Sequence, residues 1–243
     1  MAATAVARRL TEAHRQAQLR LGASTVAQLR RLFHYLDPRA VDATFEQWLA
    51  HVVPVVVTQR AASAQIASNY LRIFKVAELG VDAGDFALDV ASIDLQGLAT
   101  SLFVTGPVRI KTATGKGVPL SVIADYAEAS TSAAGMRWAL DGGRDLITDA
   151  VGADHQALGW ARATSGKACA FCAMLASRGP VYSDDTVDFE SHDGCSCTAE
   201  PVYRQDADWP AGARAYRAQW DEATKGAGLE PGDALNAFRK ALA

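Results

Sequence analysis

Four cysteines and a histidine crowded between positions 169 and 197 are the residues of this 243-residue chain best suited to chemistry: Cys169, Cys172, His192, Cys195 and Cys197. They read C-x-x-C, then 19 residues, then H-x-x-C-x-C. A C-x-x-C turn puts two thiolates on one side of a tight loop, both able to reach one ion at about 2.3 Å, and a distant His/Cys group completes a tetrahedron. Zinc suits that nitrogen and sulfur donor set and would act as a structural cofactor, stabilising a small unit short of apolar core. Cys169, Cys172 and His192 are the firm ligands. Cys195 and Cys197 compete for the fourth place, because two thiols one residue apart strain to close on the same small site. A five-ligand or four-thiolate set, unligated or disulfide-capable thiols, and a catalytic thiol are the competing readings.

Other known chemistries fit less well. A zinc deaminase needs H-x-E upstream of P-C-x-x-C, but Ala168 precedes Cys169, and His155 is followed by Gln156 and Ala157. A DNA-reading finger wants about 12 residues between its cysteine pair and H-x3-5-H. A thioredoxin-like turn would leave the second group, H-x-x-C-x-C, unexplained. The stretch TGKG at 114–117 lacks the glycine a phosphate loop needs, with Ile110 in its place, and ends in Gly117 instead of a hydroxyl, so it reads as a turn. Ser191 adjoins His192, but neighbouring residues seldom face each other and no third group completes a triad. His14, His34 and His51 fall in helical patterns as surface or satisfied core residues, and Trp138, Trp160, Trp209 and Trp220 read as core anchors.

The elements that must position the cluster follow from periodicity. Apolar residues at Val26, Leu29, Phe33 and Leu36 recur at three and four, and Gly22 with Ser24 as N-cap predicts two helices before residue 36. Helical spacing continues through DATFEQWLAHVV and AASAQIASNYLRIFKVAELG, with Gly80 as a stop. Further helices are expected to begin near Pro107 and Pro119 and to end at Asp141–Gly143. ALGWARAT (157–164) and CTAEPVY (197–203) read as strands flanking the cysteines, and helical periods return in WPAGARAYRAQWDEATKG and DALNAFRKAL. The expected class is α+β: a mainly helical docking region over 1–153, a Cys/His α+β unit over 154–205, and C-terminal helices over 206–243.

Composition is ordinary for a globular chain, 49% hydrophobic and 21% charged. The N-terminus has no apolar leader, and the longest apolar run, WLAHVVPVVV, is interrupted by His51 and Pro54, so neither secretion nor a membrane span is expected. A reducing cytosol follows, where clustered cysteines favour metal over disulfides. Charge is uneven: ten Lys/Arg against five Asp/Glu in residues 1–80, then 14 against 22. A basic front could meet a phosphate backbone or an acidic protein patch, or be only a solvated helix face. Around the cysteines, Asp184, Asp185, Asp188, Glu190 and Asp193 argue against DNA contact.

GWARATSGKACAFCAMLASRGPVY (159–182), HDGCSCTAEPVY (192–203) and WDEATKGAGLEPGDALNAFRKAL (220–242) resemble the phage Mu F-like minor head proteins, in the form found in tailed phages and prophages of high-GC Gram-positive bacteria. VTGP (104–107) and LDGGRDLI (140–147) share the likeness, which covers most of 100–243. The resemblance implies a structural component of the phage head, assembled in the host cytoplasm, bound to the portal or the major capsid protein or lining the capsid interior. It would lie near packaged DNA. It also implies zinc on Cys169, Cys172, His192, Cys195 and Cys197; this chain departs from its relatives in lacking the second histidine they commonly carry near Asp193, which argues against a two-metal site. Members are often labelled capsid maturation proteases. The alternative function is therefore a protease using Cys169 or Cys172 with His192, or Ser191 with a distant base. No catalytic residue is assigned, and whether the chain is an enzyme stays open.

Overall fold

The computed structural model describes residues 4–80, 92–164, 168–180, 189–204, 209–210, 212–226 and 230–242. Asp184, Asp185 and Asp188 lie outside them. Three long helices form its frame: α1 (Ala5–Leu32), α2 (Val41–Leu79) and α5 (Leu120–Ala153). The Thr4 side chain caps α1 by accepting from the Ala7 N–H at 3.1 Å. α2 ends at Gly80, whose φ of 68° is the left-handed cap that the sequence predicts there. Pro54 is tolerated inside α2, with its ring at the exposed surface.

Two expected breaks are continuous helix, for the same reason. Gly22 lies inside α1, so Ser24 caps nothing. A Cβ on Gly22 would come within 3.0 Å of Met136 Sδ on α5. Gly142 and Gly143 lie inside α5, which runs ten residues further, to Ala153. A Cβ on Gly142 would meet the Arg60 carbonyl oxygen at 2.4 Å, and one on Gly143 would meet Ser63 Oγ at 2.7 Å. These glycines permit close helix packing; they do not end helices. The contact is also polar. Ser63 Oγ donates to Gln18 Oε1 at 2.8 Å, Gln18 Nε2 donates to the Ser63 carbonyl at 3.0 Å, and buried Arg60 pairs with Asp145 at 2.5 Å.

On one side of this crossing Leu29, Leu36, Trp48, Leu98, Leu102 and Ile123 form an apolar cluster. Here α3 (Leu95–Phe103) runs through a π-helical turn at Val104–Val108 into α4 (Arg109–Gly115). Pro107 therefore widens a continuing helix, where the sequence reading starts a new one. Its ring blocks the normal hydrogen bond, and Ser130 Oγ of α5 donates to the Thr105 carbonyl at 2.8 Å. Pro119 does stand just before α5, and TGKG does close α4 in a turn at Lys116 and Gly117.

On the other side of the crossing the core holds Tyr70, Phe74, Ile147 and Trp160 together with Cys172, Cys195 and Cys197. Both strands form where expected: β1 (Gly159–Ala163) and β2 (Thr198–Val202) pair antiparallel, Gly159 opposite Val202 and Ala163 opposite Thr198. The short α6 (Ala170–Ala176) carries the first cysteines, and α7 (Ala213–Ala223) and α8 (Pro231–Ala241) pack on it through Ala173, Ala176, Tyr216 and Phe238. The architecture is mainly helical α+β. Among the described residues no helix is long and apolar enough to cross a membrane.

Gly142→Ala, which in an exposed helix would be stabilising, should here cost about 1–3 kcal/mol in urea denaturation, because the new methyl meets backbone. Gly115→Ala, with nothing within 4 Å of its added methyl, should be neutral or slightly stabilising.

Candidate metal centre

The strand pair sets the two cysteine arms against each other. β1 leads towards Cys169, the N-cap residue of α6, and Cys197 immediately precedes β2. Cys169 Sγ lies 3.0 Å from His192 Nε2, Cys172 Sγ lies 3.3 Å from the same nitrogen, and Cys172 Sγ lies 3.5 Å from Cys195 Sγ. The ligand atoms of Cys169, Cys172 and His192 fall within 4.8 Å of one another, as do those of Cys172, Cys195 and Cys197. All five residues singled out from spacing thus converge, and Cys172 belongs to both groups. Cys169 is exposed and the other three cysteines are buried.

Tautomer chemistry favours a ligand at His192. Its Nδ1 is 2.9 Å from the Asp193 carbonyl oxygen, which only accepts. Nδ1 therefore carries the proton, and in the neutral ring Nε2 offers a bare lone pair to the thiol cluster. Tetrahedral zinc would set its sulfur and nitrogen donors about 3.5–3.8 Å apart; the contacts at 3.0, 3.3 and 3.5 Å would open by up to about half an ångström, and the two groups, which share only Cys172, would draw together around one ion. The donor set fits a metal of that size.

α5 holds the second arm. Arg144 is fully buried: Nη2 donates to the Cys195 carbonyl at 2.7 Å, Nε to the Cys197 carbonyl at 3.1 Å, and Nη1 to Asp141 at 2.7 Å. Ser191 Oγ donates to Asp141 at 2.9 Å, so its hydroxyl is turned away from hydrolytic use with His192. From β1, Arg162 enters the same interior at 2% exposure, with its guanidinium carbon 3.8 Å from the centre of the Phe189 ring. Nη2 donates to the Glu190 carbonyl at 2.7 Å, while Nε and Nη1 have no partner among the described residues.

Neither Arg144 nor Arg162 was legible as part of the site. Both lie in stretches that carry the family resemblance, LDGGRDLI and GWARAT, but nothing there marks them as partners of the thiols beyond Arg162 standing between two alanines.

The buried thiols shift one another in opposite directions. Hydrogen bonds from Cys172 and then Cys197 hold the Cys195 thiol far below its ordinary range, despite burial. Contacts with Cys195 and Cys197, with burial added, push Cys172 far above its range. The contact with Cys172 lowers Cys197, but Cys195 and burial outweigh it and push that thiol up to about 12. Without a metal, three clustered sulfurs cannot all ionise.

Behind β2 lies a second buried polar group. His14, pushed down to about 3 by burial, stacks on Tyr70 and bonds Thr198 Oγ1 at 2.9 Å, and its Nδ1 has no partner among the described residues. His34 and His51 instead meet the Tyr35 ring. Of the tryptophans, Trp160 is a buried anchor, while Trp138 and Trp220 are only partly buried. Trp48, unmarked by the sequence reading, is the largest fully buried side chain of the described residues.

Fold and site together define a mainly helical α+β protein with a Cys/His cluster that could hold a metal ion. The chain belongs to the VG15 protein family, a phage-associated family whose profile matches residues 5–223, from the start of α1 to the end of α7. No curated protein and no solved structure matches.

Glu200 on β2 is pushed up from 4.5 to about 7, first by burial, with Thr11 opposing and Glu78 adding to the shift. Between those values the native state holds a proton that the unfolded chain releases, so stability falls as pH rises from about 4.5 to 7 and then levels. Glu200→Gln should remove that slope. Its stability relative to the parent should improve by roughly 3 kcal/mol between about pH 4.5 and 8 in urea titrations, and parallel pH profiles would refute the assignment.

Proposed function

We propose that this chain is a structural minor head protein of the Mu F-like kind, acting in phage head morphogenesis at the portal or the capsid interior, and that its Cys/His cluster binds one structural zinc. Membership of a phage-associated family and the motifs shared with Mu F-like proteins support the first part. The observation that carries the second is the convergence of four thiols and a bare imidazole nitrogen at the edge of the core, with three of the thiols buried in it. The proposed ligands are Cys169, Cys172, His192 and Cys195, with Cys197 close beside Cys172. Portal and major capsid protein are the proposed partners, and packaged DNA the neighbour of the basic front.

Charge supports three thiolates with one imidazole, whichever of Cys195 and Cys197 is the third thiolate. Zinc with three thiolates and a neutral imidazole carries a net charge of −1. Asp141 already offsets Arg144, whereas among the described residues no carboxylate pairs with Arg162. The Arg162 cation therefore has its counter-charge in the loaded cluster. Zinc here would supply a cross-link between the two arms.

A second reading rests on one contact. The exposed Cys169 thiol at 3.0 Å from His192 Nε2, with Nδ1 oriented by a carbonyl, has the form of a nucleophile and base. Trimming of co-expressed major capsid protein that stops with Cys169→Ala would establish that protease reading.

Purified protein should contain about one zinc per chain by elemental analysis, and the chain should be found by mass spectrometry in purified virions and co-purify with the portal protein. Cys172→Ser should release the metal and lower the melting temperature; a folded, metal-replete variant would sink the zinc assignment. Arg162→Met should act with opposite signs, stabilising the metal-free protein by removing a buried charge while weakening zinc about tenfold or more.

A further inference from the structure

The π-helical turn and α4 face the start of α5 across an open groove of about 440 Å³, far from the cysteines and unused by the proposed function. Its floor and walls are apolar: Val104, Val108, Val118, Ile123 and Tyr126. Three of these would ordinarily be covered, yet Val104 is 52%, Val108 38% and Tyr126 63% exposed. Two cations, Arg109 and Lys116, also line the groove, and no carboxylate does. Neither has an ion pair among the described residues, whereas the neighbouring Lys111 is tied to Asp42.

We infer that this groove is a docking site for an acidic amphipathic helix of another protein. Apolar side chains along one face of such a helix would cover Val104, Val108 and Tyr126, and carboxylates flanking that face would meet Arg109 and Lys116. The charge pattern selects this occupant: a cationic lining without acids repels a basic helix and attracts an acidic one. The walls select its form. Both are helical, so no open strand edge is offered for β-augmentation, and what remains is recognition by a helix laid in a groove. Nucleic acid would find phosphate partners in Arg109 and Lys116 but leave the apolar floor exposed. An exposed tyrosine at the groove is the residue type that dominates interface energetics, and the π-turn that splays Val104 and Val108 outward is a device common at functional sites.

The test uses the full chain and a fluorescein-labelled synthetic peptide of about 18 residues, with leucine at helical spacing and glutamate elsewhere, long enough to span about 27 Å as a helix. Anisotropy should show this peptide binding about tenfold or more tighter than a counterpart with lysine for glutamate, with affinity falling as salt rises. Arg109→Glu with Lys116→Glu should weaken it about tenfold or more and restore binding of the lysine peptide. Tyr126→Ser should weaken both; all three positions are exposed, and circular dichroism checks that the variants fold. Equal binding of the two peptides, no binding at millimolar peptide, or indifference to the charge reversals would overturn the proposal. Displacement of the peptide by duplex DNA would reassign the groove to nucleic acid, and a concentration-dependent dimer abolished by Tyr126→Ser would reassign it to a second copy of the chain.

Discussion

The glycine pair in the middle of α5 sets the height at which three long helices meet, and the candidate centre depends on that height. With Gly142 against the Arg60 backbone and Gly143 against Ser63, α5 approaches α2 too closely for any side chain to intervene. The next residue, Arg144, then emerges on the other side of the helix, where it reaches the carbonyls of Cys195 and Cys197. A buried guanidinium is costly unless its donors are met, and here the carbonyls of the thiol arm and Asp141 meet them. Helix packing and thiol placement are one arrangement, joined by a single turn of α5.

Much of the architecture was legible because it follows from periodicity. The two strands, the left-handed cap at Gly80 and the C-terminal helices are local patterns with local causes. Where the reading failed, at Gly22, at Gly142–Gly143 and at Pro107, it took a residue's intrinsic preference as decisive, and a partner elsewhere in the chain decided instead. Glycine in a helix is unfavourable until a second helix needs the space. Proline breaks a helix unless the backbone widens to absorb it, as the π-turn does around Pro107.

The cysteines and histidine were legible as a set because thiols are rare and their spacing is chemically constrained. Their surroundings were not. Arg162 and Arg144 both hold their guanidiniums over Phe189, at 3.8 and 5.3 Å, and Trp160 stacks on that same ring. Nothing in the local sequence announces that two cations should share one aromatic ring beside a thiol cluster. Only the folded chain shows the interior to be rich in positive charge where sulfur could carry negative charge.

α6 has one side for each half of this story. Cys172 faces the core that runs back into the long helices, while Ala173 and Ala176 face Tyr216 and the fully buried Phe238 of the last two helices. A helix of seven residues does not persist alone in water, so α6 depends on packing on both sides. The last two helices dock on the same short helix that holds Cys172 and is capped by Cys169, and a displacement of those cysteines is felt directly on the face where Tyr216 and Phe238 sit.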